Sequence, residues 1–247
     1  MELSSFFAEH PKVALGFSGG ADSSYLLYAA KLCGADVRPY YVSSQFQPEF
    51  ELQDAQRLCR DLGVSLHVLR VNVLSDPAVT GNPPDRCYHC KRHIFSAIAE
   101  QALADGYPVL LDGTNASDDY DDRPGMRALG ELQVLSPLRL CGITKAELRQ
   151  LSREAGLFTW DKPAYACLAT RIPTGSVITE DKLKRIELSE GQLFEMGFSD
   201  FRIRMDGDKA KLQFPQSQLG EAELRLNEIK QRIGPYFTEV YLDPQGR

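Results

Sequence analysis

The chain has 247 residues, enough for one large domain or two small ones, with the 43% hydrophobic and 25% charged content of an ordinary globular protein. No apolar run approaches a membrane span, and the first residues, with Glu2, Glu9 and His10, lack the basic start of a secretory signal. A net charge of −6 argues against a protein built to grip a large nucleic acid, and six cysteines without such a signal predict reduced thiols in the cytoplasm.

Strand and helix patterns alternate through the first two-thirds of the chain. An apolar run over 13–17 reads as a strand and 22–33 as a helix. Residues 37–42 read as a strand, 51–62 as a helix ended by Gly63, and 65–71 as a strand. The polar, Pro-containing stretch 72–86 is too long for a simple connector. A helix over 88–104, short strands over 109–112 and 132–136, and a helix over 144–155 behind a Thr cap follow. This order predicts an α/β fold with a doubly wound parallel sheet, whose ligands bind at the carboxyl ends of the strands. The rhythm breaks over 159–176. Beyond it come a helix over 179–196, strands over 201–205 and 210–214 joined at Asp206-Gly207-Asp208, a helix over 221–233 and a strand over 239–242. The expected division is a larger domain over 1–177 and a small α+β domain over 178–247.

The most informative segment is GFSGGADSS, residues 16–24, a Gly-rich turn from strand into helix. Gly19 and Gly20 let backbone approach a ligand, the helix start aims N–H groups at it, and Ser18, Asp22 and Ser23 add polar side chains. It is not the Walker loop, because no Gly-Lys-Ser/Thr follows. Asp112-Gly113-Thr114-Asn115 falls at the same sheet edge, and Asp118 or Asp119 just beyond is suited to hold Mg²⁺ on a phosphate. Arg123 and Arg127 lie in an alternating acid–base stretch that reads equally as a solvated loop or as a clamp for carboxylate or phosphate. Cys87 and Cys90 form a CxxC beside Arg86, Lys91 and Arg92, readable as half a metal site, a redox pair or two structural thiols. Cys167 lies in an irregular loop near Lys162 and Arg171, a setting that favours a reactive thiolate, and it would complete a three-cysteine set able to hold an iron–sulfur cluster. Cys33, Cys59 and Cys141 read as inert.

The SGGxDS segment resembles the loop of PP-loop ATP pyrophosphatases, a branch of the adenine nucleotide alpha hydrolase-like fold. With it, NPPDRCYHCK, DGTNASD, RPGMRAL, SPL, TKAELRQLS and TWDKPAYACLATRIPTG, together with a small C-terminal α+β domain, resemble the LarE family over essentially the whole chain. Thr174 stands where the family usually has an aromatic residue, and Asp206 where a histidine is expected. The resemblance implies ATP and Mg²⁺ bound at Ser18, Gly19, Gly20, Asp22, Ser23, Gly113, Thr114 and Asn115, with Asp118 on the metal. It implies adenylation of a pyridinium-3,5-dicarboxylate mononucleotide and its conversion to a thiocarboxylate, on the way to the nickel-pincer nucleotide cofactor of lactate racemase. Sulfur would come from Cys167 itself, leaving dehydroalanine, or from sulfide on a [4Fe-4S] cluster held by Cys87, Cys90 and Cys167, the mode that the CxxC favours. Arg123, Arg127, Arg171, Arg202 and Arg204 are the expected substrate contacts. A homo-oligomer is expected, since the family tends to form rings of several subunits. A tRNA-thiolating PP-loop enzyme and a non-catalytic nucleotide-binding module are the alternatives.

Overall fold

The structure, a computed structural model, describes residues 1–119 and 124–247. Its elements begin with α1 (Leu3–Glu9), β1 (Lys12–Gly16), α2 (Ala21–Leu32), β2 (Asp36–Ser43), α3 (Glu49–Asp61), β3 (His67–Arg70), α4 (Pro77–Thr80), α5 (Arg86–Ala104) and β4 (Val109–Leu111). They continue with α6 (Pro124–Glu131), α7 (Pro137–Leu140), α8 (Lys145–Glu154), α9 (Glu180–Glu195), β5 (Arg202–Asp206), β6 (Lys209–Gln213), α10 (Gln216–Leu224), α11 (Leu226–Ile233) and β7 (Glu239–Leu242). Packing divides the chain into unit 1, Met1–Val73 with Asp85–Lys162, and unit 2, Leu74–Pro84 with Pro163–Arg247. The sequence expectation set its division at 177/178.

Unit 1 is built on a parallel sheet of order β3-β2-β1-β4. Alternation along the strands feeds two separate cores. Val13 and Leu15 of β1, Val37 and Tyr41 of β2 and Leu111 of β4 pack with Leu26, Leu27, Leu58 and Leu148. Ala14, Tyr40, Val42 and Leu110 face the other way, onto Ile98 and Ala102 of α5 and Met126 and Leu129 of α6. Helices on both faces make the sheet doubly wound, as the βα rhythm requires. Chain order steps from β1 outward to β3 on one side and back to β4 on the other, so β1 and β4 flank the topological switch point.

Two local expectations change. Over 132–136 there is no strand but a single parallel bridge, Leu111 to Leu135. Gln133 takes a left-handed φ of 54° and Pro137 opens α7, leaving too little extended chain between them for a ladder. The stretch 124–131, for which no element was expected, is helix α6, with Met126 and Leu129 buried and Pro124 at its start.

Helix α8 carries a reciprocal cap. The Glu147 backbone N–H donates to Thr144 Oγ1 at 3.3 Å, and the Thr144 N–H donates to Glu147 Oε2 at 2.9 Å. Those Thr144 backbone and side-chain hydrogen bonds hold the Glu147 carboxyl below its ordinary value of 4.5. The linked stability is therefore present above that value and is lost as pH falls through the lowered folded one. Thr144→Ala is expected to destabilise unit 1 by about 1 kcal/mol at neutral pH. Urea unfolding of both proteins across the acid range should show the difference narrow as Glu147 protonates and the Thr144 Oγ1 bond to its carboxylate weakens, with the part due to the Glu147 N–H bond remaining. A constant difference would exclude the hydroxyl–carboxylate bond as a contributor.

Unit 2 pairs β5 with β6 as an antiparallel hairpin and β6 with β7 in parallel. Gly207 at the turn has φ 59°, which the tight connection demands. Ile186, Leu193, Ile203, Leu212, Phe214, Ile229 and Ile233 form the unit's buried interior. The single helix expected over 221–233 is two, broken at Arg225, whose guanidinium donates to Met196 O and pairs with Glu221 and Glu228. The segment 74–84 is sewn into this unit. Asn82, 1% exposed with φ 52°, donates to Ile172 O and Pro173 O and accepts from the Gly175 N–H, while Thr80 O accepts from the Ile178 N–H.

Candidate functional site

The turn after β1 is organised by two hydroxyls. The Gly20 N–H donates to Ser18 Oγ at 3.3 Å, Ser18 Oγ lies 3.1 Å from Ser23 Oγ, and Ser23 Oγ donates to Gly20 O at 3.3 Å. With Ser23 donating to Gly20, Ser18 must be the donor between the hydroxyls, and the three bonds close a ring. Gly19 has φ 72°, and a Cβ there would sit 3.1 Å from the Cβ of Ala55 on α3. Only glycine meets both demands without strain.

The loop after β4 locks against this turn. A Cβ on Gly113 would lie 2.9 Å from the backbone N of Ser23, so the two loops touch main chain to main chain. Asp112, 5% exposed, accepts from Ser136 Oγ at 2.6 Å and from Thr114 Oγ1. Asn115 uses its side chain twice, accepting from the Ser117 N–H at 2.8 Å and donating to Asp22 Oδ1 at 3.2 Å. Asp118 Oδ2 accepts the Asn115 N–H at 3.1 Å. The structure thus brings together Ser18, Gly19, Gly20, Asp22, Ser23, Gly113, Thr114, Asn115 and Asp118 at the switch point of the sheet.

Two residues that the sequence reading did not assign to this site join them. Lys145, first residue of α8, reaches Asp22 at 2.6 and 2.8 Å, and its backbone N–H donates to Ser117 Oγ at 3.0 Å. Lys162 pairs with Asp54 of α3 at 2.6 Å and approaches Gly19 O at 3.4 Å. The capping box ahead of Lys145 was a readable signal, since it sets a basic residue at the start of a helix. The link from Lys162 to α3 spans more than a hundred residues and has no local sign.

Beside the turn lies a small cavity of about 180 Å³, lined by Phe17, Tyr41, Val42, Ile94 and Phe95 together with Gly16 and Ser18. Its mainly apolar and aromatic walls, with Ser18, Gln47 and Lys91 also in the lining, suit a flat heteroaromatic ring.

Cys87 is exposed and Cys90 half-buried on the first turn of α5, with Arg86 Nη2 3.6 Å from Cys87 Sγ. Among the described residues no group of three or more His, Cys, Asp or Glu side chains is gathered to hold a metal. Mg²⁺ on a nucleotide needs only one or two carboxylates beside the phosphates, and Asp22 and Asp118 are carboxylates at this edge. Arg127 lies flat on the Tyr88 ring, 3.8 Å from its centroid, and 3.8 Å from Glu131. Arg123 lies outside the described residues. Cys59 is buried in α3, which pushes its thiol up to about 12, in keeping with an inert thiol.

In unit 2, half-buried Cys167 caps a single 3₁₀ turn, Leu168–Arg171. Arg171 is 1% exposed and bound to Glu190 at 2.9 and 3.1 Å. Arg202 donates to Ala164 O and Phe201 O, both at 2.6 Å, and Arg204 donates to Thr170 O at 2.8 Å. Burial, then the charges of Arg171 and Arg247, lower the Arg202 guanidinium to about 10. Its nearest carboxylate oxygen, on Asp200, is 3.9 Å away.

No family model matches the chain. It is 36% identical, over 99% of its length and 92% of the relative's, to an uncharacterized protein of Synechocystis sp.. It is 31% identical, over 95% of its length and 86% of the relative's, to the pyridinium-3,5-bisthiocarboxylic acid mononucleotide synthase of Lactiplantibacillus plantarum. A tRNA-specific 2-thiouridylase of Thermotoga sp. is 26% identical over 74% of this chain and 62% of the relative. With the full-length likeness to the synthase, and the Gly-rich loop and its Asp22 at the switch point of a parallel sheet, the chain belongs to the LarE family of PP-loop sulfur-transferring enzymes.

Proposed function

We propose that this protein converts a carboxylate of a pyridinium-3,5-dicarboxylate mononucleotide to a thiocarboxylate at the expense of ATP. One observation carries the reading: the Ser18–Ser23 ring, and Asp22 held between Lys145 and Asn115, lie on the Gly-rich turn beside an apolar cavity. The adenine ring occupies the cavity, and the triphosphate crosses the turn. Lys145 and the N–H groups at the start of α2 offset its charge, and Asp22 with Asp118 holds Mg²⁺.

A substrate carboxylate oxygen attacks the α-phosphorus, the α–β bond breaks, and pyrophosphate leaves with the acyl-adenylate behind it. The Cys167 thiolate attacks the acyl carbon, AMP leaves, and a thioester forms. Loss of the Cys167 α-proton with cleavage of its Cβ–S bond yields the thiocarboxylate and dehydroalanine, with no oxidant or reductant needed. Cys87 and Cys90 would supply two of the ligands of an iron–sulfur cluster. Supply by a cluster-bound sulfide is the alternative that the mass measurements below decide. Arg202, buried without a close carboxylate, is the residue suited to the substrate's phosphate.

Purified protein with ATP and Mg²⁺ should release pyrophosphate only when the dicarboxylate mononucleotide is present, with a thiocarboxylate detected by mass spectrometry. Pyrophosphate release that responds to bulk tRNA instead would replace this reading with the tRNA-thiolating one that the 2-thiouridylase likeness suggests. ATP binding without release in either case would leave a nucleotide-binding module.

A further inference from the structure

Arg171 was expected to contact substrate, yet its donors are spent inside unit 2. Its Nε and Nη2 form a two-pronged pair with Glu190. Its Nη1 reaches back along its own 3₁₀ turn to Ala166 O at 2.7 Å, Cys167 O at 3.4 Å and Thr170 Oγ1 at 2.9 Å. Glu190 is equally committed. It takes both Arg171 prongs, the Tyr165 hydroxyl and the Ile203 N–H at 3.1 Å. The pair is almost fully dry, with side-chain exposures of 0% and 1%. The Arg171 guanidinium also sits over the Tyr165 ring, 4.5 Å from its centroid. A loop with two prolines and no ladder partners is thereby tied at its carbonyls to one helix and one strand, α9 and β5.

We propose that Arg171 and Glu190 are positioning residues that fix the backbone on either side of Cys167 for sulfur transfer, with Tyr165 as the third member of the set. The pair gives the guanidinium a fixed fork geometry, and that fork in turn fixes the two peptide carbonyls that flank the nucleophile's Cα. A fully satisfied buried network holds one arrangement, and loss of any member leaves a dry polar group unmatched. The assignment rests on the reading of Cys167 as the residue that receives the acyl group. It makes no demand on adenylation, whose groups lie in unit 1.

The test uses the full chain and the variants Arg171→Lys, Glu190→Gln and Tyr165→Phe. Pyrophosphate and thiocarboxylate are measured from the same reaction, and Cys167 alkylation by iodoacetamide is followed by peptide mass spectrometry. Arg171→Lys and Glu190→Gln should keep pyrophosphate release unchanged within error, while thiocarboxylate formed per pyrophosphate falls about tenfold or more, as expected when a nucleophile is displaced from its line of attack. Glu190→Gln should also speed Cys167 alkylation, since the loop loosens and Arg171 loses its counter-charge. A direct substrate role for Arg171 predicts the opposite pattern: a raised KM for the mononucleotide in pyrophosphate release, with the product ratio intact. That pattern overturns the proposal. Should the two charge variants fail to fold, Tyr165→Phe, which removes a single hydroxyl, decides by the same ratio, and an unchanged ratio refutes the network's role. If wild-type protein releases no pyrophosphate with the mononucleotide, the functional reading fails. Alkylation then judges the clamp alone, and equal rates in wild type and the folded variants reject it.

Discussion

Asp22→Ala is expected to lower pyrophosphate release by about 100-fold or more while the protein still folds. The carboxylate sits between Lys145 at 2.6 Å and Asn115 at 3.2 Å, so its loss unpins the cation and the amide that shape the edge facing the phosphates. The ion pair is only partly buried, with side-chain exposures of 32% and 29%, and such pairs contribute about 0–1 kcal/mol of stability. Activity and stability should therefore part company. Ser18→Ala removes the acceptor of the Gly20 N–H and opens the hydroxyl ring, and a drop of about 10- to 100-fold is expected. A continuous pyrophosphate assay, with thermal unfolding run alongside, separates the two effects. Wild-type release by both variants would remove this loop from the chemistry.

Cys167→Ala should divide the reaction at its midpoint. Adenylation needs no thiol, so pyrophosphate continues to appear when the dicarboxylate mononucleotide is added, but no thiocarboxylate forms. Normal product from this variant would make Cys167 a structural residue. Intact-mass analysis of the wild type then identifies the sulfur donor. If Cys167 surrenders its sulfur, each chain acts once and loses hydrogen sulfide, about 34 Da, an elimination distinct from stepwise oxidation of the thiol. If a cluster-bound sulfide is the donor, mass is unchanged, turnover repeats with added sulfide, and Cys87→Ala or Cys90→Ala abolishes it. In the first case those two variants behave as wild type.

Much of unit 1 was legible because its signals are local. Apolar runs bounded by Gly63 and Gly113, the Thr144 cap and the βα rhythm each act over a few residues, and they placed the turns after β1 and β4 at one edge of the sheet. What escaped depends on partners distant in sequence. Helix α1 is one short stretch whose Phe6 and Phe7 are buried by elements that follow it. The stretch 132–136 has strand composition, but a left-handed Gln133 and a following Pro137 leave it a single bridge. The bonds that Arg171 and Arg202 make within unit 2 were not legible, because composition cannot show which groups of its own chain an arginine binds. Those groups include Glu190, nineteen residues beyond Arg171, and the carbonyls of 164, 166 and 167.

The sewing of Asn82 into residues 172–175 makes unit 2 discontinuous along the chain. On the ribosome Asn82 of its strap emerges 90 residues before the Ile172 carbonyl it binds, and it stays without its partners while unit 1 is completed. Closing that long intervening loop is an entropic toll on unit 2 alone, growing only slowly with the length of what is looped out. The same connectivity governs dissection. A fragment begun at Pro163 would carry every strand of the small sheet yet lack Asn82, stranding the carbonyls of Ile172 and Pro173 and the N–H of Gly175. An excised unit 2 that keeps its inner lining must be a fusion of 74–84, through a new linker, to 163–247.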